Sequence, residues 1–146
     1  MAEEQIKYIF VYGSLRLDDD SSMPWTKAAT EGMLNYKAIV YDHCMYFDRY
    51  AAVKTNKPGK QVVGYVMTID PSKNAVWKDK IKLFDDIEGI SRGLYQRIIA
   101  TATVIDSGES VQCYIYVRNS ASESYEVPEG DWLKRDRNIT DLPIVQ

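Results

Sequence analysis

Proton transfer is the chemistry this chain is best equipped for, and Glu88 is the residue best placed to do it. At about 100° per residue, Trp77, Ile81, Phe84 and Glu88 fall within a narrow arc of one helix. Val76, Leu83 and Ile87 widen that apolar surface, while Lys78, Lys82 and Asp86 lie toward its outer side. Glu88 is therefore aimed inward at the turn where the helix ends, or else it frays into water beside Asp85 and Asp86. In the first arrangement desolvation and the negative end of the helix dipole both raise its pKa, which suits an acid/base near neutral pH.

The second stretch with chemical potential is Lys7-Tyr8-Ile9-Phe10-Val11-Tyr12-Gly13-Ser14-Leu15-Arg16. A β-branched and aromatic run reads as a buried strand, and it stops abruptly at Gly13-Ser14, with Asp18-Asp19-Asp20 shortly beyond. A strand ending at glycine leaves backbone N–H groups at its rim, where they are fixed donors for an anion or a carbonyl. The simpler reading is a tight turn. Ser14 is either a cap of its own turn or a nucleophile, and His43 is the only histidine to serve as its base. His43 beside Cys44 reads as a strand residue, because no second His/Cys pair accompanies it to make a metal site. No phosphate-loop or dinucleotide glycine pattern is present.

The elements that must position these residues alternate mostly between strands and turns. Residues 17–30 form a long loop or a single helical turn, with Pro24 in its first turn. An extended region runs from Gly32 to Phe47, and a short strand from Tyr50 to Lys54. Asn56-Lys57-Pro58-Gly59 is a turn, followed by a strand from Gln61 to Ile69. Gly64 inside that strand marks a bulge or a close approach. Asp70-Pro71 predicts the start of the main helix, which stops at Gly89. Tyr95–Ile105 and Val111–Val117 form a hairpin about Asp106-Ser107-Gly108-Glu109. Tyr114, Tyr116 and Tyr125 read as core and rim. The cluster Lys134-Arg135-Asp136-Arg137 reads as a solvated tail, with Asp131 helping to balance its charge. The expectation is one α+β domain over residues 1–146, a small mostly antiparallel β-barrel with one main helix and a tail from about 133 to 146.

Composition narrows the function. With a net charge of −3, no basic field invites nucleic acid. No apolar run approaches the roughly 20 residues of a membrane span. Met1-Ala2-Glu3-Glu4-Gln5 lacks a hydrophobic signal core, so a cytoplasmic location is expected. Cys44 and Cys113 read as buried thiols rather than a disulfide or metal clip.

Two stretches together resemble the gamma-glutamylcyclotransferase superfamily, also described as the AIG2-like fold. One is Val11-Tyr12-Gly13-Ser14-Leu15-Arg16. The other is Phe84-Asp85-Asp86-Ile87-Glu88-Gly89 followed by Gly93-Leu94-Tyr95-Gln96-Arg97, with Tyr95 seven residues beyond Glu88. Val62-Val63-Gly64 and Gly130-Asp131-Trp132 agree more weakly. The resemblance spans about Tyr8 to Trp132 and implies a small barrel with helices outside. It implies that Tyr12, Gly13, Ser14 and Leu15 line a cavity and hold a γ-glutamyl group, that Tyr95 is a wall or hydrogen-bond donor, and that Glu88 is the acid/base.

The implied reaction is ring closure of a γ-glutamyl amide to 5-oxoproline with release of an amine, needing no cofactor, metal or enzyme nucleophile. Arg16 is a further candidate for the substrate's α-carboxylate. The expected partner is a small γ-glutamyl molecule, without nucleic acid or membrane. Met45–Ala52 lacks the tyrosine–proline pair of many relatives, and Leu15-Arg16 lacks the aromatic of the glutathione-degrading branch, which makes glutathione a poorer fit. A non-catalytic module binding a small ligand in the same cavity is the alternative, since a fold does not fix a function. Neither the leaving amine nor the oligomeric state is legible.

Overall fold

The computed structural model describes residues 6–19 and 24–136. The acidic N-terminal residues, Asp20, Ser21-Ser22 and Arg137 lie outside the described residues. Five strands close a barrel in the order β1 (Ile9–Val11), β5 (Gln61–Ile69), β2 (Met33–Tyr41), β6 (Gln96–Val104) and β7 (Ser110–Val117). All neighbours are antiparallel except the closing pair, in which β1 runs parallel to β7 through Ile9–Tyr114 and Phe10–Ile115. The barrel is thus mixed, within an α+β fold that matches the expectation. A two-stranded hairpin, β3 (Cys44–Asp48) with β4 (Tyr50–Lys54), packs beside it.

The single extended region expected from Gly32 to Phe47 is two strands. The chain turns at Asp42, whose backbone takes φ +62°, and the Asp42 N–H donates across the turn to the Lys60 carbonyl at 2.7 Å. His43 lies in this turn rather than in a strand, its Nδ1 2.8 Å from the Tyr41 carbonyl.

Side-chain parity divides the core in two. Phe10, Ala38, Val40, Val62, Val66, Val104, Cys113 and Ile115 fill the barrel, joined by Met45, Phe47 and Val53 of the hairpin and by Trp132. The opposite faces of β1, β5 and β7 supply Ile9, Val11, Met67 and Tyr116, which pack against Phe84, Trp77, Ile81 and Ile87 of the main helix. Cys44 and Cys113 are both buried free thiols. Gly64 allows a close backbone approach: a Cβ there would stand 2.1 Å from the Val11 carbonyl oxygen, so β1 and β5 reach their spacing only with glycine.

The main helix is α2 (Trp77–Glu88), shorter at its start than Asp70-Pro71 predicts. The Asp70 carboxylate accepts from the Ser72 N–H at 2.9 Å and the Ser72 hydroxyl at 2.7 Å, closing a local turn that competes with helix initiation. Val76 precedes the helix and is exposed rather than packed. The other end is as expected: Gly89 takes φ +69° and its N–H closes on the Asp85 and Asp86 carbonyls. A short helix, α1 (Trp25–Thr30), follows Pro24.

Of the described residues of the charged cluster, Lys134 and Asp136 are exposed as a solvated tail would have them, but Arg135 is not. Arg135 is buried, its guanidinium lies 4.1 Å from the Trp132 ring centre, and one Nη donates to the Trp132 carbonyl. Tyr125, expected at the core or rim, is exposed. No helix among the described residues is long and apolar enough to cross a membrane.

Candidate active site

The end of β1, the end of α2 and the first hairpin converge on one open-mouthed cavity. Tyr12, Gly13, Ser14 and Leu15 line one side of it. Glu88 and Tyr95 line another, and Tyr50, Ala51, Trp25, Tyr116 and Trp132 complete the wall. The structure therefore brings together every residue singled out for catalysis or binding except Arg16. The seven-residue spacing of Glu88 and Tyr95 has a geometric cause. After Gly89 a single 3-10 turn (Ile90–Arg92) reverses the chain, and the Leu94 N–H donates back to the Gly89 carbonyl at 3.0 Å.

Among the described residues, Glu88 is the only acidic or basic side chain lining the cavity, tyrosines aside. Among the described residues no donor reaches its carboxyl, and burial alone pushes its pKa up to about 8. The neighbouring phenols explain this isolation. The Tyr12 hydroxyl donates to the Tyr116 carbonyl at 2.5 Å, and the Tyr95 hydroxyl donates to the Ala51 carbonyl at 2.5 Å. The Tyr116 hydroxyl donates to Asp85 Oδ1 at 2.8 Å. Each phenol proton is committed elsewhere, so Glu88 gains no stabilising donor. Burial pushes all three phenols above their ordinary range, and the Glu88 charge adds to that. Of the two roles expected for Tyr95, wall or hydrogen-bond donor, it stands as a wall whose proton is already used.

The loop after β1 has the opposite character. Among the described residues, no acceptor meets the backbone N–H of Gly13, Ser14 or Leu15. The turn itself is closed by the Arg16 N–H donating to the Gly13 carbonyl at 3.0 Å. Gly13 is fixed by space: a Cβ there would stand 2.8 Å from the Ala51 Cβ on β4. Uncommitted donors thus share one cavity with an uncommitted carboxyl, a pairing that can receive a zwitterion: donors for its carboxylate, Glu88 for its ammonium.

Arg16 does not join them. Its side chain is wholly buried, its Nε and Nη2 fork onto both Asp18 oxygens at 2.8 Å, and its Nη1 donates to Asp131 at 2.9 Å. The guanidinium also lies 5.3 Å from the Tyr65 ring centre, and Arg16 does not line the cavity where a substrate carboxylate would sit. Sequence spacing showed a cation beside the loop but not that two acids distant in sequence or hidden by the turn consume it.

Several wall residues were not singled out from the sequence as site residues. Tyr116 could have been found by parity, since Cys113, Ile115 and Val117 face the barrel and Tyr116 must face α2. Asp85, which reads as a solvated end residue, instead accepts from Tyr116 and from Arg97 at 2.7 Å and ties the last turn of α2 to β6 and β7. Trp25 and Tyr50 carry no local signal, and Trp132 carries only the weaker agreement of Gly130-Asp131-Trp132 with the family pattern. Among the described residues there is no group of three or more His, Cys, Asp or Glu side chains able to hold a metal ion.

Comparison with known families matches residues 9–134 to the model for "Gamma-glutamyl cyclotransferase, AIG2-like". The chain belongs to this gamma-glutamyl cyclotransferase family. Solved structures agree on the fold. An AIG2-like protein from Mus musculus is 19% identical, with a TM-score of 0.59 over 90% of this chain and 84% of its own. A solved gamma-glutamyl cyclotransferase is 18% identical, with a TM-score of 0.62 over 84% of this chain and 72% of its own. An uncharacterised protein from Pyrococcus horikoshii is 16% identical, with a TM-score of 0.56 over 86% and 89%. At these identities the likeness concerns the barrel and its helices, and comparison with curated proteins found no match. The family match covers both the Tyr12–Leu15 loop and the Glu88–Tyr95 reversal, the two pieces that meet at the cavity.

Proposed function

We propose that this family member is a cyclotransferase that converts a γ-glutamyl amide into 5-oxoproline and a free amine, with Glu88 as the acid/base. The observation that carries the reading is the pairing within one cavity of the lone Glu88 carboxyl with the uncommitted N–H groups of Gly13, Ser14 and Leu15. The γ-glutamyl group is a zwitterion at its α-carbon. Its α-carboxylate suits the N–H cradle and its α-ammonium suits Glu88.

In its ionised form Glu88 takes a proton from the α-ammonium. The freed amine nitrogen attacks the side-chain amide carbonyl, forming a five-membered ring and a tetrahedral centre. Glu88 returns the proton to the departing nitrogen and the amide C–N bond breaks; the ring nitrogen's second proton then passes through Glu88 to the released amine, so 5-oxoproline and an ammonium leave with Glu88 ionised again. Both reacting groups belong to one molecule, so the cavity's work is to hold them together and exclude water. A carboxyl with a pKa near 8 is a stronger base than an ordinary glutamate, and so better matched to an ammonium, while it can still give the proton back. At pH 7 about a tenth of free Glu88 is ionised, and the arriving ammonium favours that form.

The test is 5-oxoproline release from a panel of γ-glutamyl amides that includes γ-glutamyl-alanine, γ-glutamyl-ε-lysine and glutathione. Release from at least one of them supports the reading and names the leaving group. Tight binding of the panel without release instead supports a ligand-binding module built on the same cavity.

A further inference from the structure

Ser14 accepts two hydrogen bonds from α1, while among the described residues its own hydroxyl proton and N–H find no acceptor. The Trp25 indole Nε1–H donates to Ser14 Oγ at 2.8 Å, and the Thr26 hydroxyl donates to the Ser14 carbonyl. An indole N–H is a donor only, so the Ser14 oxygen must accept that bond. The hydroxyl proton is then directed away from Trp25, and among the described residues no acceptor takes it. Ser14's N–H is likewise uncommitted. Both partially buried side chains, Ser14 and Trp25, line the cavity.

We infer that Trp25 is a positioning residue for substrate binding: its indole N–H orients the Ser14 hydroxyl as an added donor to the substrate's carboxylate, beside the Gly13–Leu15 N–H groups. The inference rests on the γ-glutamyl reading for the identity of that carboxylate. It gives Ser14 a role different from a nucleophile, because one lone pair of the hydroxyl is held by Trp25 and no histidine lines the cavity. It also gives α1, which contributes nothing to the family motifs read from the sequence, a part in specificity. The interaction exists before the substrate arrives and is used in both ground and transition states. Its loss therefore falls in KM and leaves the chemical step at Glu88 in place.

The experiment is a double-mutant cycle of Trp25→Phe, Ser14→Ala and the combined protein. It measures kcat and KM for the best γ-glutamyl amide, and 5-oxoproline affinity by calorimetry. Phenylalanine keeps an aromatic wall and removes only the donor. Each single variant is expected to raise KM and weaken 5-oxoproline by about three- to tenfold, the range of one hydrogen bond. Once Ser14 is alanine, Trp25→Phe is expected to add less than about twofold. Additive losses in the double variant would overturn the inference, because they would make Trp25 a wall independent of Ser14. An unchanged KM in Trp25→Phe would overturn it too. Wild-type protein that neither turns over nor binds any γ-glutamyl compound would overturn both this inference and the cyclotransferase reading, whereas a flat response to Trp25→Phe in an active enzyme overturns this inference alone.

Discussion

Replacing Glu88 by glutamine should remove turnover and, above neutral pH, make the protein more resistant to unfolding relative to wild type. In the unfolded chain the carboxyl titrates near 4.5, and in the folded protein burial pushes it up to about 8. Below pH 4.5 both states hold the proton and the group contributes its full stability. Between 4.5 and 8 the unfolded state releases the proton while the folded state keeps it, so stability falls as pH rises. The two values differ by about 3.5 pH units, and at about 1.4 kcal/mol per unit the loss is at most about 5 kcal/mol. The open mouth, which leaves Glu88 partly accessible, trims this to about 3 to 4 kcal/mol. Glutamine has the same shape and does not titrate. Urea unfolding of both proteins between pH 5 and 8.5 isolates this group, because the other titrations cancel in the difference. The stability of Glu88→Gln minus that of wild type should grow steadily across that interval. Two parallel curves, with a gap constant to within about 0.5 kcal/mol, would show a carboxyl as well solvated in the fold as in the open chain and refute the reasoning.

The same titration governs activity with the opposite sense, since the base must be ionised: kcat/KM of the wild-type protein should rise with pH to a plateau above about 8, and a profile already flat from pH 6 would contradict it. Gly13→Val places branched carbon where even a Cβ stands 2.8 Å from Ala51. It should raise KM at least about tenfold by shifting the N–H cradle, which steady-state kinetics would show. Arg16→Met strands Asp18 and Asp131 without their shared cation and should cost about 3 to 5 kcal/mol of stability by urea unfolding.

The sequence made most of the fold legible because its signals were local. Apolar runs bounded by turns read as strands from Gln61 to Ile69, as found, and from Tyr95 to Ile105, found as Gln96–Val104, and the left-handed stop at Gly89 ended α2 where expected. The helical arc of Trp77, Ile81 and Phe84 aimed Glu88 correctly, and only the three-dimensional packing showed that neighbouring phenols spend their protons on carbonyls and on Asp85. What failed was decided by partners remote in sequence. Asp131 lies 115 residues from Arg16 and turns it from a substrate candidate into a buried brace. Trp132 draws Arg135 over its ring and buries that one residue of what reads as a polar tail. The start of α2 was missed because Asp70 spends its carboxylate on Ser72, a competition that composition cannot rank. Trp25 and Tyr50 reach the cavity only through the barrel's closure, and no spacing announces them.

The central claim is that the Glu88 carboxylate itself moves the proton. Its most direct test is the rate of 5-oxoproline release from the best γ-glutamyl amide by wild-type protein and by Glu88→Gln, with circular dichroism confirming that both are folded. Glu88→Gln should retain less than about one thousandth of the wild-type rate while still binding 5-oxoproline, since only the proton carrier is lost. A Glu88→Gln protein working within a few-fold of wild type would contradict the account.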